Sequence, residues 1–367
     1  VADAQIVLAY SRDTGIVAIG HGKQYKVANS VLRTSGFRCG DDGVYRLTAG
    51  EEDASRATVD DLVRHATAHG AEVAASSRRF IGDAARDIAR LLPGQWDASI
   101  EIYSHPVWQE DLVPWLWDSG ELAHAVQNVR IPYAATLTDT ATKTSLLLVE
   151  RPGHQLDYLV GAFAPETFQE GYGDPHAPRS MPLPPFAGRA ARTIADRFLP
   201  AYESAVHARR IATVAEALDH IRAEHATWTA IVASGRYSDA SPLSATGLGE
   251  ASEKFLNRAW GEFRSVMQHA PALLEHCRPA ATSWPEDARV LGQLADALTE
   301  AEGLEEDALL TRAERAAQRW AALDTWLTHS EPFLRQARAA TPPRQHTVSA
   351  VAPPRQALQR GQHAPRR

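Results

Sequence analysis

The sequence predicts an α+β protein: a mixed α/β front half with mostly antiparallel strands, then an all-α antiparallel helical bundle and a disordered basic tail. Three observations carry this. Short β-prone runs in the first half alternate with closely spaced turn signals. From Ala187 to Ser234 the chain is interrupted only by Gly188 and Pro200. No acidic residue follows Glu331, whereas seven arginines do.

Each element has its own signal. Residues 5–10 and 16–19 are apolar runs around Ser-Arg-Asp-Thr-Gly, a hairpin pattern. A helix from about residue 24 follows, because Val27, Ala28, Val31 and Leu32 recur at helical spacing. Gly36 suits the left-handed position that ends such a helix. Residues 37–39 and 44–47 flank Gly-Asp-Asp-Gly, a second hairpin. Thr58, with Asp61 three residues on, opens a helix that stops at Gly70. Residues 72–75 read as a strand and residues 80–92 as a helix halted by Pro93-Gly94. Residues 98–103, 134–138, 144–149 and 156–163 read as strands. The last three are joined by connectors too short for a parallel crossover, which favours antiparallel pairing over a doubly wound nucleotide fold. Residues 171–185 hold five prolines and two glycines and read as a linker.

Beyond the linker, a helix to about residue 198, a longer one from about 201 and another over 249–276 are expected. Ser283-Trp284-Pro285-Glu286 is a helix-start signal. It opens a helix to about residue 329, weakest at Gly303. The domain divisions expected are 1–78, 79–168, a linker over 169–186, a bundle over 187–334 and a tail over 335–367.

Composition narrows the function classes. The 367 residues carry a net charge of −7, and without the seven late arginines the rest carries −14, 31 basic residues against 45 acidic. An acidic body repels nucleic acid over most of its surface, so DNA contact would fall to local basic features. The tail arginines, among them Arg355, Arg360, Arg366 and Arg367, are one such feature. The helix stripe Arg79, Arg86 and Arg90 is another, although Asp83 and Asp87 interleave and pair with it by helical spacing. Two distant cysteines, Cys39 and Cys277, argue against a disulfide framework. No apolar run approaches the roughly 20 residues of a membrane span. The N-terminus lacks a signal-peptide pattern, and a cytoplasmic location without membrane contact is expected.

The densest local signal is SHPVWQEDLVPWLWDSGE, residues 104–121. Trp108, Trp115 and Trp117 stand there among Glu110, Asp111, Asp118 and Glu121, with His105 at the start. Aromatic area beside a few polar groups is what a pocket wall or a partner-docking surface needs. The spacing of Trp108, Leu112, Trp115 and Leu116 equally fits an inward helical stripe, with Pro114 bending or starting that helix. An acid/base site would use His105 with Glu110 and Asp111. His65 and His69, four apart near a helix end, could face one metal but lack the Glu of a zinc-protease pattern; capping the negative helix terminus explains them as well. Glu121 and His124 form one E-x-x-H, where a di-iron bundle needs two. Phosphate-loop, nucleophile-elbow, dinucleotide and kinase patterns do not occur. No cofactor is expected.

The runs KVANSVLRTSGFRCGDDGVYRL (residues 26–47) and DLVRHATAHGAEV (residues 61–73) resemble a segment of actinobacterial proteins found on plasmid-like and integrated elements. In those proteins a helix ends in a Gly-Phe step and is followed by a Gly-x-Tyr strand and a second helix. The resemblance spans about the first fifth of the chain. It implies a role in mobile-element biology and carries over neither an activity nor a functional residue.

Interaction-type surface without an intact catalytic signature favours a non-catalytic binding protein acting through protein or DNA contacts. The alternatives are a hydrolase or nuclease built on His105 and its neighbouring carboxylates, and an oligomeric scaffold assembled through the bundle.

Overall fold

The computed structural model describes residues 2–47, 52–168, 171–237, 241–281, 285–306 and 310–340. The first hairpin is β1 (Ala4–Ser11) and β2 (Gly15–His21), paired from Gln5↔His21 to Ser11↔Gly15. Gly15 closes the turn at φ 79°, a region that disfavours side chains. Then come α1 (Tyr25–Thr34), β3 (Arg38–Cys39) and β4 (Tyr45–Arg46). Helix α2 (Glu52–Ala68) starts a turn and a half before Thr58, and β5 (Ala71–Arg79) follows.

These strands form one sheet in the order β3-β4-β2-β1-β5, with β5 parallel to β1. The long stretch between β1 and β5 supplies the crossover that a parallel pair requires. Alternation along β1 sorts its side chains. Ala4, Ile6 and Leu8 pack under α1 and α2 with Val31, Leu32 and Leu62. Val7 and Ala9 face the opposite core with Val17 and Ile19.

Helix α3 (Ile81–Leu91) leads into the second sheet, formed by β6 (Trp96–Ile102), β7 (Leu116–Trp117), β8 (Tyr133–Asp139), β9 (Ser145–Glu150), β10 (Tyr158–Phe163) and β11 (Met181–Leu183). Its order is β11-β10-β9-β8-β6, antiparallel throughout, and β7 pairs with the end of β10. One face, through Ala134, Leu147, Val149 and Leu159, meets α5 (Glu121–Asn128). The other, through Ala135, Leu137, Leu146, Leu148 and Val160, meets α3. Covering both faces is why the β9 sequence reads as an unbroken apolar run.

The proline-rich stretch is a packed strap rather than a free linker. Within it β11 extends the sheet, Leu183 is buried, and Asp174 accepts from Trp117 Nε1 at 3.0 Å. Edge strands tolerate proline because one side needs no ladder bond.

Helix α6 (Ala187–Thr193) passes through one π turn (Ile194–Phe198) directly into α7 (Leu199–Ser234). The break expected near residues 198–201 does not occur. Pro200 falls in the first turn after the widened π turn, where its missing N–H is accommodated. Up to Val206 this rod belongs to the front core, and from Ile211 it belongs to the bundle core. Its bundle partners are α8 (Ala245–Ala281), α9 (Pro285–Glu306) and α10 (Arg312–Ala339).

The single helix expected over 283–329 is thus two helices. Pro285 heads the first, while Ser283 and Trp284 lie outside the described residues. A capping box starts the second: Thr311 Oγ1 accepts from Glu314 N and Glu314 Oε2 accepts from Thr311 N at 2.9 Å. Arg335 and Arg338 belong to α10, which carries Leu334 and Ala337 into the core, so the helix outruns the expected boundary at 334. Residues 341–367, with Arg344, Arg355, Arg360, Arg366 and Arg367, lie outside the described residues. Among the described residues no helix is long and apolar enough to cross a membrane.

Candidate functional site

The Trp-rich segment does not form one helix. His105 caps α4 (Pro106–Glu110), its Nδ1 accepting from Val107 N at 3.3 Å. Pro114 then sits in a single 3-10 turn, Val113–Trp115, and the chain straightens into β7. Changing from helical to extended backbone within a few residues breaks the expected stripe. Leu112, Leu116 and Trp117 point inward, whereas Trp108 is 43% and Trp115 59% exposed. Trp117 is fully buried, with Phe168 and Tyr202 each 5.6 Å from it centroid to centroid. It is therefore core, and a partner-contact role for its ring is corrected.

Trp108 packs on Tyr25 at the start of α1, ring centroids 5.2 Å apart, and Tyr25 meets His105 edge-on at 6.2 Å. With exposed Val107 these rings form an aromatic face. Lys23 and Lys26, two of the chain's four lysines, flank Tyr25 and are exposed. Trp115 opens elsewhere, near exposed Tyr172, whose N–H donates to Pro114 O at 3.3 Å.

A polar seam between the two sheets holds this face rigid. Buried Gln109 donates from Nε2 to Val126 O (2.6 Å) and Val129 O (2.7 Å), and its Oε1 accepts from Arg130 Nη1 (2.7 Å) and Ile131 N (2.8 Å). Arg130 Nη2 donates to Ser104 O at 3.1 Å and also to Tyr103 O, and Gly22 N donates to Ser104 O at 2.8 Å. Close by, buried His21 has no hydrogen-bond partner on either ring nitrogen. Burial, with Arg130 adding to it, pushes the His21 imidazole down to about 4.

The carboxylates of the segment do not converge on His105. Glu110 and Asp111 are exposed, and neither hydrogen-bonds nor ion-pairs with His105. Asp118 caps α5, accepting from Ala123 N at 2.8 Å, and also accepts from Ser180 N at 2.5 Å. Glu121 is held by the Arg151 fork at 2.7 and 2.8 Å, which lowers its carboxyl below the usual range. The backbone turns at Pro114 and Gly120 spread these groups over different surfaces, so no acid/base constellation is assembled around His105.

His65 and His69 sit at the end of α2. His65 Nδ1 lies 3.1 Å from Ser35 Oγ, and His69 Nδ1 lies 2.8 Å from His65 O, back-bonding the helix terminus. Both border an apolar groove of about 460 Å³ with Lys26 and Val31. Among the described residues no group of three or more His, Cys, Asp or Glu is placed to hold a metal ion.

The arginine stripe is divided. Arg79 is the last residue of β5, not part of a helix. Arg86 binds Asp83 at 2.5 Å and Asp13 at 3.0 Å, and Arg90 binds Asp87 at 3.2 Å. Fully buried Asp83 also accepts from Ser11 Oγ (2.9 Å) and Arg12 N (2.7 Å). Arg12 forks onto Asp87. This ladder locks the β1–β2 turn onto α3 and matches the helix arginines with carboxylates, which leaves little net charge to track phosphates.

Two cavities lack any local sequence signal. One, of about 340 Å³, lies between β5 and the β8–β9 pair. There Tyr133 Oη donates to Glu150 Oε1 at 3.0 Å, and burial raises the Glu150 carboxyl. Arg78 pins the following loop by donating to the carbonyls of Arg151, His154, Gln155 and Asp157. The other cavity gathers Asp174, Arg209 and His269 from three distant stretches of chain. Sequence reasoning misses these groups, and Tyr25 too, because each reads as an ordinary loop or helix residue where it stands.

Comparison with protein-family models, with curated proteins and with solved structures finds no match for this chain.

Proposed function

We propose that this chain is a non-catalytic binding protein whose partner is another protein, docked on the aromatic face of Tyr25, Val107 and Trp108. The single observation that carries the reading is the outward Trp108, tilted against Tyr25 above a hydrogen-bonded base, in a segment whose Trp117 is wholly core. An exposed indole beside a half-buried phenol on a hydrogen-bonded backbone is the kind of surface that dominates protein interfaces, because such rings bury large area with little loss of rotamer freedom. Lys23 and Lys26 beside the face favour a partner with an acidic rim. A bacterial cytoplasm and service to a mobile element fit the absence of a membrane-spanning helix among the described residues and the resemblance of residues 26–47.

The test is capture from a host lysate with the full chain, run beside a Tyr25→Ala/Trp108→Ala double variant and an Arg56→Ala control on the outer side of α2. The reading expects a defined protein set that survives nuclease treatment, is kept by the control and is lost by the double variant at unchanged melting temperature. Equal capture by wild type and double variant would sink it. Loss of capture on nuclease treatment would replace it with a DNA-dependent role.

A further inference from the structure

The cavity where the strap meets the bundle encloses about 450 Å³, within the range of small-molecule sites. Its wall combines rings from the strap side, Phe168 and Tyr172, with Arg209 of α7 and Ser265, Gln268 and His269 of α8. We propose that it binds a small carboxylate attached to a flat apolar group, with Arg209 as the anchor.

The charge pattern selects an anion. Among the described residues of the wall the one acidic side chain, Asp174, is already occupied: Oδ1 accepts from His176 N at 2.8 Å, and Oδ2 accepts from Trp117 Nε1 at 3.0 Å. Arg209 Nε lies 3.1 Å from the same Oδ2 but is not aligned for a hydrogen bond. Among the described residues the terminal guanidinium nitrogens of Arg209 donate no hydrogen bond and make one long ion-pair contact, to Glu216 at 4.0 Å. A guanidinium fork held only by such a long contact can still take a carboxylate that matches it in both plane and spacing. Ser265 and Gln268 add donors, and Arg210 adds positive potential, since both Arg209 and Arg210 disfavour protonation of His269.

The second, independent observation is His269 itself. It is 4% exposed, lines the cavity, and its Nδ1 has no hydrogen-bond partner. An unpartnered buried ring nitrogen costs free energy unless something else in the cavity meets it. Phe168 lies 5.6 Å from the imidazole at a 41° tilt, and this ring pair forms an apolar wall for a flat ligand body.

The experiment uses the full chain with ¹⁵N-labelled histidine. The His269 ring signals are assigned by their disappearance in His269→Gln. Benzoate, acetate and inorganic phosphate are titrated separately at fixed pH and ionic strength. The proposal expects a saturable shift of the His269 signals with benzoate, and weaker binding of acetate, which lacks the flat group. It expects about tenfold weaker benzoate binding in Arg209→Gln, and no change in Arg222→Gln, which is remote from the cavity. Because Arg209→Gln also removes the contact with Asp174, Ser265→Ala provides a milder variant, with binding about threefold weaker. A missing saturable shift with benzoate, tighter binding of phosphate, or unchanged affinity in both cavity variants would overturn the assignment.

Discussion

The bundle and the front half use their tryptophans differently. In the bundle Trp260 and Trp326 are buried, and Trp228 and Trp320 stack with Phe255 against the same core, at 5.7 and 4.9 Å between centroids. In the front half, Trp115 and Trp117 lie two residues apart, one 59% exposed and the other fully buried. Long helices turn these four rings toward the bundle core, so packing absorbs each of them. The 3-10 turn at Pro114 gives adjacent rings opposite directions, and the sheet needs only one. The outward rings, Trp108 and Trp115, therefore stand outside the hydrophobic cores.

Substitutions can break or sharpen that contrast. The largest effect is expected from Trp117→Ala, which empties a buried site and strips Asp174 of a donor. It should cost about 3–5 kcal/mol, measured by urea denaturation, and a cost no greater than that of Trp115→Ala would erase the distinction. Asp83→Ala comes next, at about 2–3 kcal/mol, because the buried Ser11 hydroxyl and Arg12 N–H lose their acceptor. A melting temperature unchanged from wild type would show that the ladder holds nothing together.

The third effect depends on pH. His21, pushed down to about 4 by burial and then Arg130, ordinarily titrates near 6.5 when unfolded. Between those values the unfolded chain binds the extra proton, so stability is complete above about 6.5 and falls as pH drops toward about 4. His269, also near 4 through burial and then Arg210 and Arg209, contributes in the same direction. His21→Leu should flatten the acid side of the stability–pH curve by roughly 1–3 kcal/mol. An unaltered slope would mean that this imidazole titrates normally in the fold. The smallest effect is expected from Trp108→Ala and Trp115→Ala, each within about 0.5 kcal/mol of wild type. A larger loss in denaturation would return these rings to the core.

Legibility in the sequence follows contact range. The hairpin around Gly15, the antiparallel run β8-β9-β10 and helix α3, which falls one residue short of expectation at each end, are written in local turn chemistry and periodicity. The parallel partnership of β1 with β5 is not, since nothing near either strand specifies the other. The strap hid its strand because an edge strand needs few ladder bonds and so accepts Pro182. The break before α10 was written locally, in Thr311 and Glu314, with the same signature as Ser283 and Glu286. At the candidate site the aromatic content of residues 104–121 was legible, but the sorting of inward from outward rings was not. That sorting depends on Tyr25 and Asp174, both far from the segment in sequence.

The π turn at Ile194–Phe198 has a geometric corollary. It accommodates one residue more than a regular turn, upstream of the point where the rod passes from one core to the other. Tightening this turn into regular α-helix with every residue kept would swing everything downstream by about 100° around the axis, whereas excising Ala195 along with the bulge would leave the bearing nearly unchanged. The widened turn therefore sets the bearing of the bundle relative to the sheets, like the index tooth on a shaft.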